Sequence, residues 1–428
     1  MINKKLHRQL ESIDWDFATR YTGLTRTPHW YPGTFPAQLP STLIQALSSS
    51  GDVVFDPYGG VGTTAAESIR LNRRTWSVDI HPISALASAP YCALLLLKRV
   101  APKKLELLFA LFESVLQGTR PQKESAPLFD FSASDRESLL LDDFCVKHMR
   151  PVPEDLLSSL RVGEPMTDLL LRWIHPDTLS EIADFRKLQA GQVIKGCENF
   201  FSIFVEFAIS ANLRALCSQV KSWGHLADNV YPKEMVYKDA IRQLSQWASR
   251  LKQSLRRVDM HGGPRIQGIQ YWHSVHDWNA EVEPKVRPRA YPRLMLTSPP
   301  YGDAIDYLNA QRLSLYFLGY SEDQVGRLCT QEIGARRKRF KPDSRTVWAQ
   351  DVATAARRQS AYVESGILAI ILPHKDHGRE MGIEAINREL CEASWTQAFS
   401  IDRSISQKST RQSWTSIKRE SITLFSRS

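Results

Sequence analysis

The apolar positions of this chain fall into two regimes. Short runs that end abruptly at turn residues alternate with longer stretches of helical period, the pattern of a mostly parallel sheet covered by helices. Asp52-Val53-Val54-Phe55-Asp56, Thr75-Trp76-Ser77-Val78 and Leu294-Met295-Leu296 read as buried strands, as do residues 366–372 and, closing the sheet, 420–425. Residues 65–71 read as a helix, and so does an Ala- and Leu-rich run from His81-Pro82-Ile83 to about Leu97. Thr42 to Leu47 reads as a short helix capped by Ser41. Ala304 to Leu318 has helical spacing, with Asp303 or Asp306 near its start where a carboxylate favours the helix dipole. Residues 1–28 are expected to lie across the sheet as an arm.

Residues 98–265 stand outside that alternation. Helical spacing recurs at 156–160, 169–174, 200–216 and 235–258, while Pro121, Pro127, Pro151 and Pro153 mark loops. Phe200, Phe201, Phe204 and Phe207 read as helical core; the turn at 221–225 and Tyr231-Pro232-Lys233 read as more exposed. The chain is therefore expected to build one domain from 1–97 and 266–428, with 98–265 as a mostly helical insertion. Target recognition and a plain helical cap are both open roles for it.

Composition narrows the class. At 428 residues, 43% hydrophobic and 24% charged, the chain has ample core for a globular protein. No run of eighteen apolar residues is present and MINKKLHRQLESIDWDF lacks a signal-peptide core, so a cytoplasmic protein without a membrane span is expected. Six cysteines without a CxxC pair read as reduced thiols, and no metal site is expected. The net charge is +9, and residues 327–428 hold 18 Lys and Arg against 11 Asp and Glu, a surplus of seven. A generic basic surface would account for this, but so would a polyanion laid across the molecule. The stretch Arg336-Arg337-Lys338-Arg339-Phe340-Lys341 is the densest basic cluster, a phosphate clamp or a solvated loop. His374-Lys375-Asp376-His377 follows a strand and sits at the same sheet edge; 409–416 reads as a polar loop.

The candidate chemistry lies at strand ends. Asp56 ends a strand and is followed by Pro57-Tyr58-Gly59-Gly60-Val61-Gly62-Thr63-Thr64 and a helix, the strand, glycine turn and helix N-terminus that cradle a nucleotide in doubly wound sheets. Asp79, twenty positions after Gly59, ends the next strand, where a carboxylate can accept from ribose hydroxyls. Thr297-Ser298-Pro299-Pro300-Tyr301 stops a third strand, because two prolines remove ladder donors and stiffen the turn. Its hydroxyl, carbonyls and aromatic face suit a flat ring bearing an NH2 group. Taken alone, a Pro-Pro turn with a packing Tyr explains the stretch equally well. GGVGTT lacks the lysine of a P-loop, which argues against an ATPase.

Together these residues resemble the S-adenosylmethionine-dependent amino-methyltransferases, above all DNA methylases acting on exocyclic amines. FDPYGGVGTT is similar to the family's methionine-side cofactor loop, VDI to its ribose-binding acid, and TSPPY to its catalytic motif in the Ser form associated with the 4-amino group of cytosine. His29-Trp30-Tyr31-Pro32-Gly33-Thr34-Phe35-Pro36 resembles the segment that closes over the cofactor. The resemblance touches both ends of the chain and leaves the middle uncovered. It implies a Rossmann-like class I methyltransferase sheet, S-adenosylmethionine as cofactor, and double-stranded DNA with a flipped base as substrate. A cognate restriction endonuclease is a further partner it would allow. The catalytic residues implied are Ser298, Pro299, Pro300 and Tyr301. Cofactor contacts are expected from Tyr31, Pro32, Phe35, Asp56, Tyr58, Gly59, Gly60, Gly62, Thr63, Thr64, Asp79, Ile80 and Thr297. The adenine-contacting acid falls to Asp277, which follows a late strand at 268–272 and reads equally as an exposed turn acid. Phosphate contacts are expected from Arg336, Arg337, Lys338, Arg339 and Lys341. An adenine 6-amino enzyme, an RNA amino-methyltransferase and a non-enzymatic nucleic-acid binder are the alternatives.

Overall fold

The computed structural model describes residues 4–17, 25–31, 33–119, 140–191, 195–219, 231–263, 266–302, 305–373, 380–404 and 419–427. Pro32, Asp303, Pro121, Pro127, the turn at 221–225 and the loops at 374–377 and 409–416 lie outside them.

Eight strands are present among these residues: β1 Val53–Asp56, β2 Arg74–Asp79, β3 Met149–Arg150, β4 Tyr271–Val275, β5 Leu294–Thr297, β6 Ile367–Pro373, β7 Trp395–Ser404 and β8 Arg419–Arg427. They form one sheet in the order β3-β4-β2-β1-β5-β6-β8-β7. Every neighbouring pair is parallel except those made by β8, which runs antiparallel to both β6 and β7. The chain builds outward from β1 through β2 to β4, then returns to place β5 on the other side of β1. That reversal opens a crevice at the carboxyl ends of β1 and β5, the place where open α/β sheets bind ligands. The fold is thus Rossmann-like with a large, mostly helical insertion, as the pattern predicted.

Strand alternation sorts the two faces. Val54, Leu294, Leu296, Ile367, Ala369 and Ile371 point to one side, where the helix Gln38–Leu47 and the arm residues Leu10 and Trp15 cover them. Val53, Phe55, Trp76, Met295, Leu368 and Ile370 point to the other, beneath the helices Ser344–Ser360 and Glu380–Glu392. Burying both faces is what makes β1, β5 and β6 continuous apolar runs.

Three local expectations change. The helix before β1 begins at Gln38 and has no side-chain cap, so Ser41 lies inside it. Pro40 is tolerated because a first-turn position has no intrahelical donor to lose. Ser41 Oγ instead accepts from Arg70 Nη2 at 2.8 Å. The helix expected over 304–318 is two pieces, Tyr307–Ala310 and Arg312–Phe317, broken at Gln311. In the insertion, the last long helix starts at Ala240, five residues after Met235, because the Asp239 side chain accepts from the Arg242 N–H and caps it there.

The insertion shares a core with the sheet's helical layer. Its helices Pro102–Thr119, Glu198–Leu216 and Ala240–Arg257 pack with Pro82–Val100, and the same apolar cluster runs on to Leu313 and Phe317. It also supplies β3, which pairs with β4 and extends the sheet edge. The helix Pro82–Val100 is long and apolar enough to cross a membrane by length and composition alone, although no eighteen-residue stretch is free of polar residues. In this protein 89% of that window is buried, as a central core helix.

Candidate active site

A cleft enclosing about 1420 Å³ of empty space, counted to its open mouth, lies over the carboxyl ends of β1, β2, β4 and β5. Asp56 closes β1 at its floor. Asp56 Oδ1 accepts from the Tyr58 N–H at 3.1 Å and the Thr297 hydroxyl at 3.0 Å, which ties the glycine loop to the last residue of β5. Asp79 ends β2. Its Oδ2 accepts from the Gly60 N–H at 2.8 Å and its Oδ1 from the His81 N–H at 2.9 Å. Burial pushes both carboxyl groups up to about 6, against the hydrogen bonds they accept.

The glycine loop is packed tightly from below. Gly62 has φ +81°, and a Cβ there would stand 2.5 Å from the Ser88 Cβ of the core helix. A side chain at Gly59 would collide with the Ser77 hydroxyl of β2, whereas at Gly60 it would meet only Tyr31 within 4 Å. The loop therefore presents bare backbone toward the cleft, at the N-terminus of the helix Thr63–Arg70. Tyr58, Gly59, Gly60, Thr63, Thr64 and Ile80 line the cleft beside the two acids. Gly62 lies beneath the loop rather than in the lining, and Thr297 is fully buried, so both support the site from behind.

The segment that precedes the sheet folds over this loop. Tyr31 stacks on Tyr307 with ring centroids 5.8 Å apart, and Phe35 lines the cleft wall. His29 anchors the segment: one ring nitrogen contacts the Trp30 carbonyl at 2.8 Å, the other the Ser210 hydroxyl of the insertion at 2.9 Å. His81 caps the core helix by accepting from the Ile83 N–H through Nδ1, so the neutral ring carries its proton on Nε2. Burial drives its pKa down to about 3 and keeps it neutral. On the far side, Asp277 and His276 follow β4 and line the cleft, and Asp277 Oδ1 accepts from the Asn279 N–H.

Ser298, Pro300 and Tyr301 line the same cleft; Pro299 is buried and outside the lining. The turn is fixed by Trp348, whose Nε1–H donates to the Pro300 carbonyl at 2.9 Å. Gly302, Gly334 and Gly382 all lie against the Trp348 indole, close enough that a Cβ at any of them would overlap the ring. Ser298 Oγ donates to the Tyr301 hydroxyl at 3.1 Å, and Tyr301 donates to Glu420 Oε1 at 2.8 Å.

The basic stretch forms a 3-10 turn, Arg336–Phe340, three residues after the cleft-lining Ile333. The structure alters what it can do. Arg337 reaches inward, donating to Asp306 Oδ1 at 3.2 Å and Glu332 Oε2 at 3.0 Å, and Lys338 Nζ donates to the Thr330 and Glu332 carbonyls. Both cations are committed to holding Glu332, a cleft-lining acid whose pKa burial raises to about 7 despite Arg337. Lys341 is exposed, and the side chains of Arg336 and Arg339 lie outside the described atoms. Sequence reasoning missed Glu332, Trp348, Arg403 and Glu420. Only Glu420 left a signal, the one acid in the closing strand.

Residues 4–87 match a family model described as DNA methylase. The matched span covers the arm, the covering segment, the glycine loop and Asp79; it stops before the insertion and the Ser298 turn. This match supports a DNA amino-methyltransferase of the N4/N6 type, on the α/β sheet that such enzymes use. A search of curated proteins found no match.

Proposed function

We propose that this protein transfers a methyl group from S-adenosylmethionine to the exocyclic 4-amino group of a cytosine turned out of duplex DNA. When bound, the cofactor supplies an electrophilic methyl group on a sulfonium centre. The residues present fit it. Asp79 keeps a lone pair on each oxygen for ribose hydroxyls, the backbone of Gly59 and Gly60 admits close approach, and Asp277, in the same lining, would accept from the adenine amine.

The observation that carries the reading is the shared cleft, which Asp79 and the glycine loop line together with Ser298 and Tyr301. An aromatic amine is a poor nucleophile because its lone pair is delocalised into the ring. Ser298 Oγ accepts one of its hydrogens, which favours a pyramidal nitrogen and stabilises charge as it develops. The stiff Pro-Pro turn, held by Trp348, supplies the orientation term. The Tyr301 ring offers a face to the base, which must leave the duplex to reach the cleft floor. The choice of cytosine over adenine rests on the Ser form of the turn alone.

The experiment is direct. The protein is incubated with labelled cofactor and duplex DNA, the DNA is digested, and the methylated nucleoside is identified. 4-Methylcytosine is expected. 6-Methyladenine alone would overturn the base assignment and keep the methyltransferase; label in RNA alone would move the substrate, and label in neither would sink the reading.

A further inference from the structure

Glu420 and Arg403 face each other across β7 and β8 and both line the cleft, with 6% and 4% of their surface exposed. Arg403 donates to Glu420 Oε2 through Nε and Nη2, each at 2.8 Å. The other carboxylate oxygen, Oε1, takes the Tyr301 proton, and the Tyr301 oxygen stands 3.1 Å from Ser298 Oγ. The direction of this chain is forced. A carboxylate paired with a guanidinium has lone pairs and no proton to give. Tyr301 owns one hydroxyl proton and spends it on Glu420. In the remaining bond Ser298 must therefore donate. Its lone pairs are what it has left for the cleft.

We propose that Glu420, held by Arg403, is a positioning residue that sets the hydrogen-bond polarity of the site through Tyr301, so that Ser298 accepts an exocyclic amine and rejects a carbonyl oxygen. This rests on the amino-methyltransferase reading and deepens it: the substrate is a base that presents NH2 at the reacting position. A keto base would set its oxygen against the Ser298 lone pairs, leaving both acceptors unpaired in a buried site.

Glu420→Gln tests this with little change of shape. Arg403 keeps its acceptor only if the amide oxygen replaces Oε2, which turns the amide NH2 toward Tyr301. Tyr301 must then give its proton to Ser298, and the Ser298 proton turns into the cleft, where it opposes an incoming amine. Turnover should fall about a hundredfold, the scale of one lost transition-state contact, while cofactor affinity holds. In a Tyr301→Phe background the same substitution should have little effect, because the chain is already cut. A second readout needs no activity: the Raman doublet of the Tyr301 ring, taken as the difference from the Tyr301→Phe protein, should report strong donation to a carboxylate in the parent and shift toward balanced donation and acceptance between neutral partners after Glu420→Gln.

Unchanged turnover in Glu420→Gln, or equal loss in both backgrounds, would reduce the ion pair to a structural role. So would a parent Raman signal of the acceptor type, which decides the matter even where Glu420→Gln does not fold. A parent protein that methylates no nucleic acid would remove the function and the proposal together; an active parent with an indifferent Glu420→Gln removes the proposal alone.

Discussion

Replacing Asp79 by Asn separates what its charge does for the fold from what it does for the cofactor. Asp79 offers two acceptor oxygens, one to Gly60 and one to His81, and Asn offers a single oxygen. One backbone N–H is left facing an NH2 group, at a cost of roughly 1–3 kcal/mol. Against this, burial raises the Asp79 pKa from 3.8 to about 6, so holding the charge at pH 8 costs on the order of 3 kcal/mol that Asn does not incur. The two nearly cancel, and the melting temperature at pH 8 should move little. Cofactor affinity should not be spared. A charge-assisted bond to a ribose hydroxyl is worth about 1.5–3 kcal/mol, or roughly 10- to 150-fold in affinity. The same charge sets two opposite pH dependences. A raised carboxyl pKa contributes stability that is full below 3.8 and lost as pH rises through about 6, whereas cofactor binding needs the carboxylate and weakens as pH falls through about 6. Calorimetric titration from pH 8 to pH 5 should thus show parent affinity declining more steeply than that of the Asn variant, with the two converging. Equal affinity at pH 8 in a folded variant would remove Asp79 from the binding site, and a flat parent profile would refute the role of its charge.

Ser298→Ala should lower turnover on the order of a hundredfold with cofactor affinity intact, measured by single-turnover methylation beside calorimetry. Arg337→Ala should destabilise the fold by about 1–3 kcal/mol in denaturant titration, since it leaves the buried Glu332 carboxyl without its donor beside Asp306. Lys341→Ala should leave stability alone and reduce the salt slope of DNA binding by roughly 0.9; an unchanged slope would place the phosphate contacts elsewhere. Gly62→Ala combines left-handed backbone with a clash against Ser88, so it should cost about 2–5 kcal/mol in thermal unfolding.

What was legible in the sequence was local. Val53 to Asp56 and Leu294 to Thr297 announce themselves because a strand buried on both faces is an unbroken apolar run, and a stop made of glycines or prolines follows at once. Asp56, Asp79 and Ser298 could be placed because they sit at those stops. The contacts that complete the site join residues far apart in the chain: Tyr301 with Glu420, Trp348 with three glycines, Arg337 with Asp306 and Glu332. Arg337 and Lys338 read as phosphate contacts because a basic run carries no mark of the acids that will meet it. Strand β3 is two residues long, too short for any period to show, and its place depends wholly on β4.

The order of strands also sets a timetable for synthesis. The hydrogen bond between Asp56 and Thr297 spans 241 positions, and β1 cannot gain β5 as a neighbour until the whole insertion has been made. Until then one edge of β1 is open, and the apolar helix Pro82–Val100 waits for partners encoded as late as Ala240–Arg257. Contacts of such sequence separation close slowly, and an unpaired strand edge beside uncovered apolar surface is prone to aggregate. A nascent chain therefore needs shelter on the ribosome until β5 arrives. For the same reason, fragments ending inside the insertion should be insoluble rather than partly active.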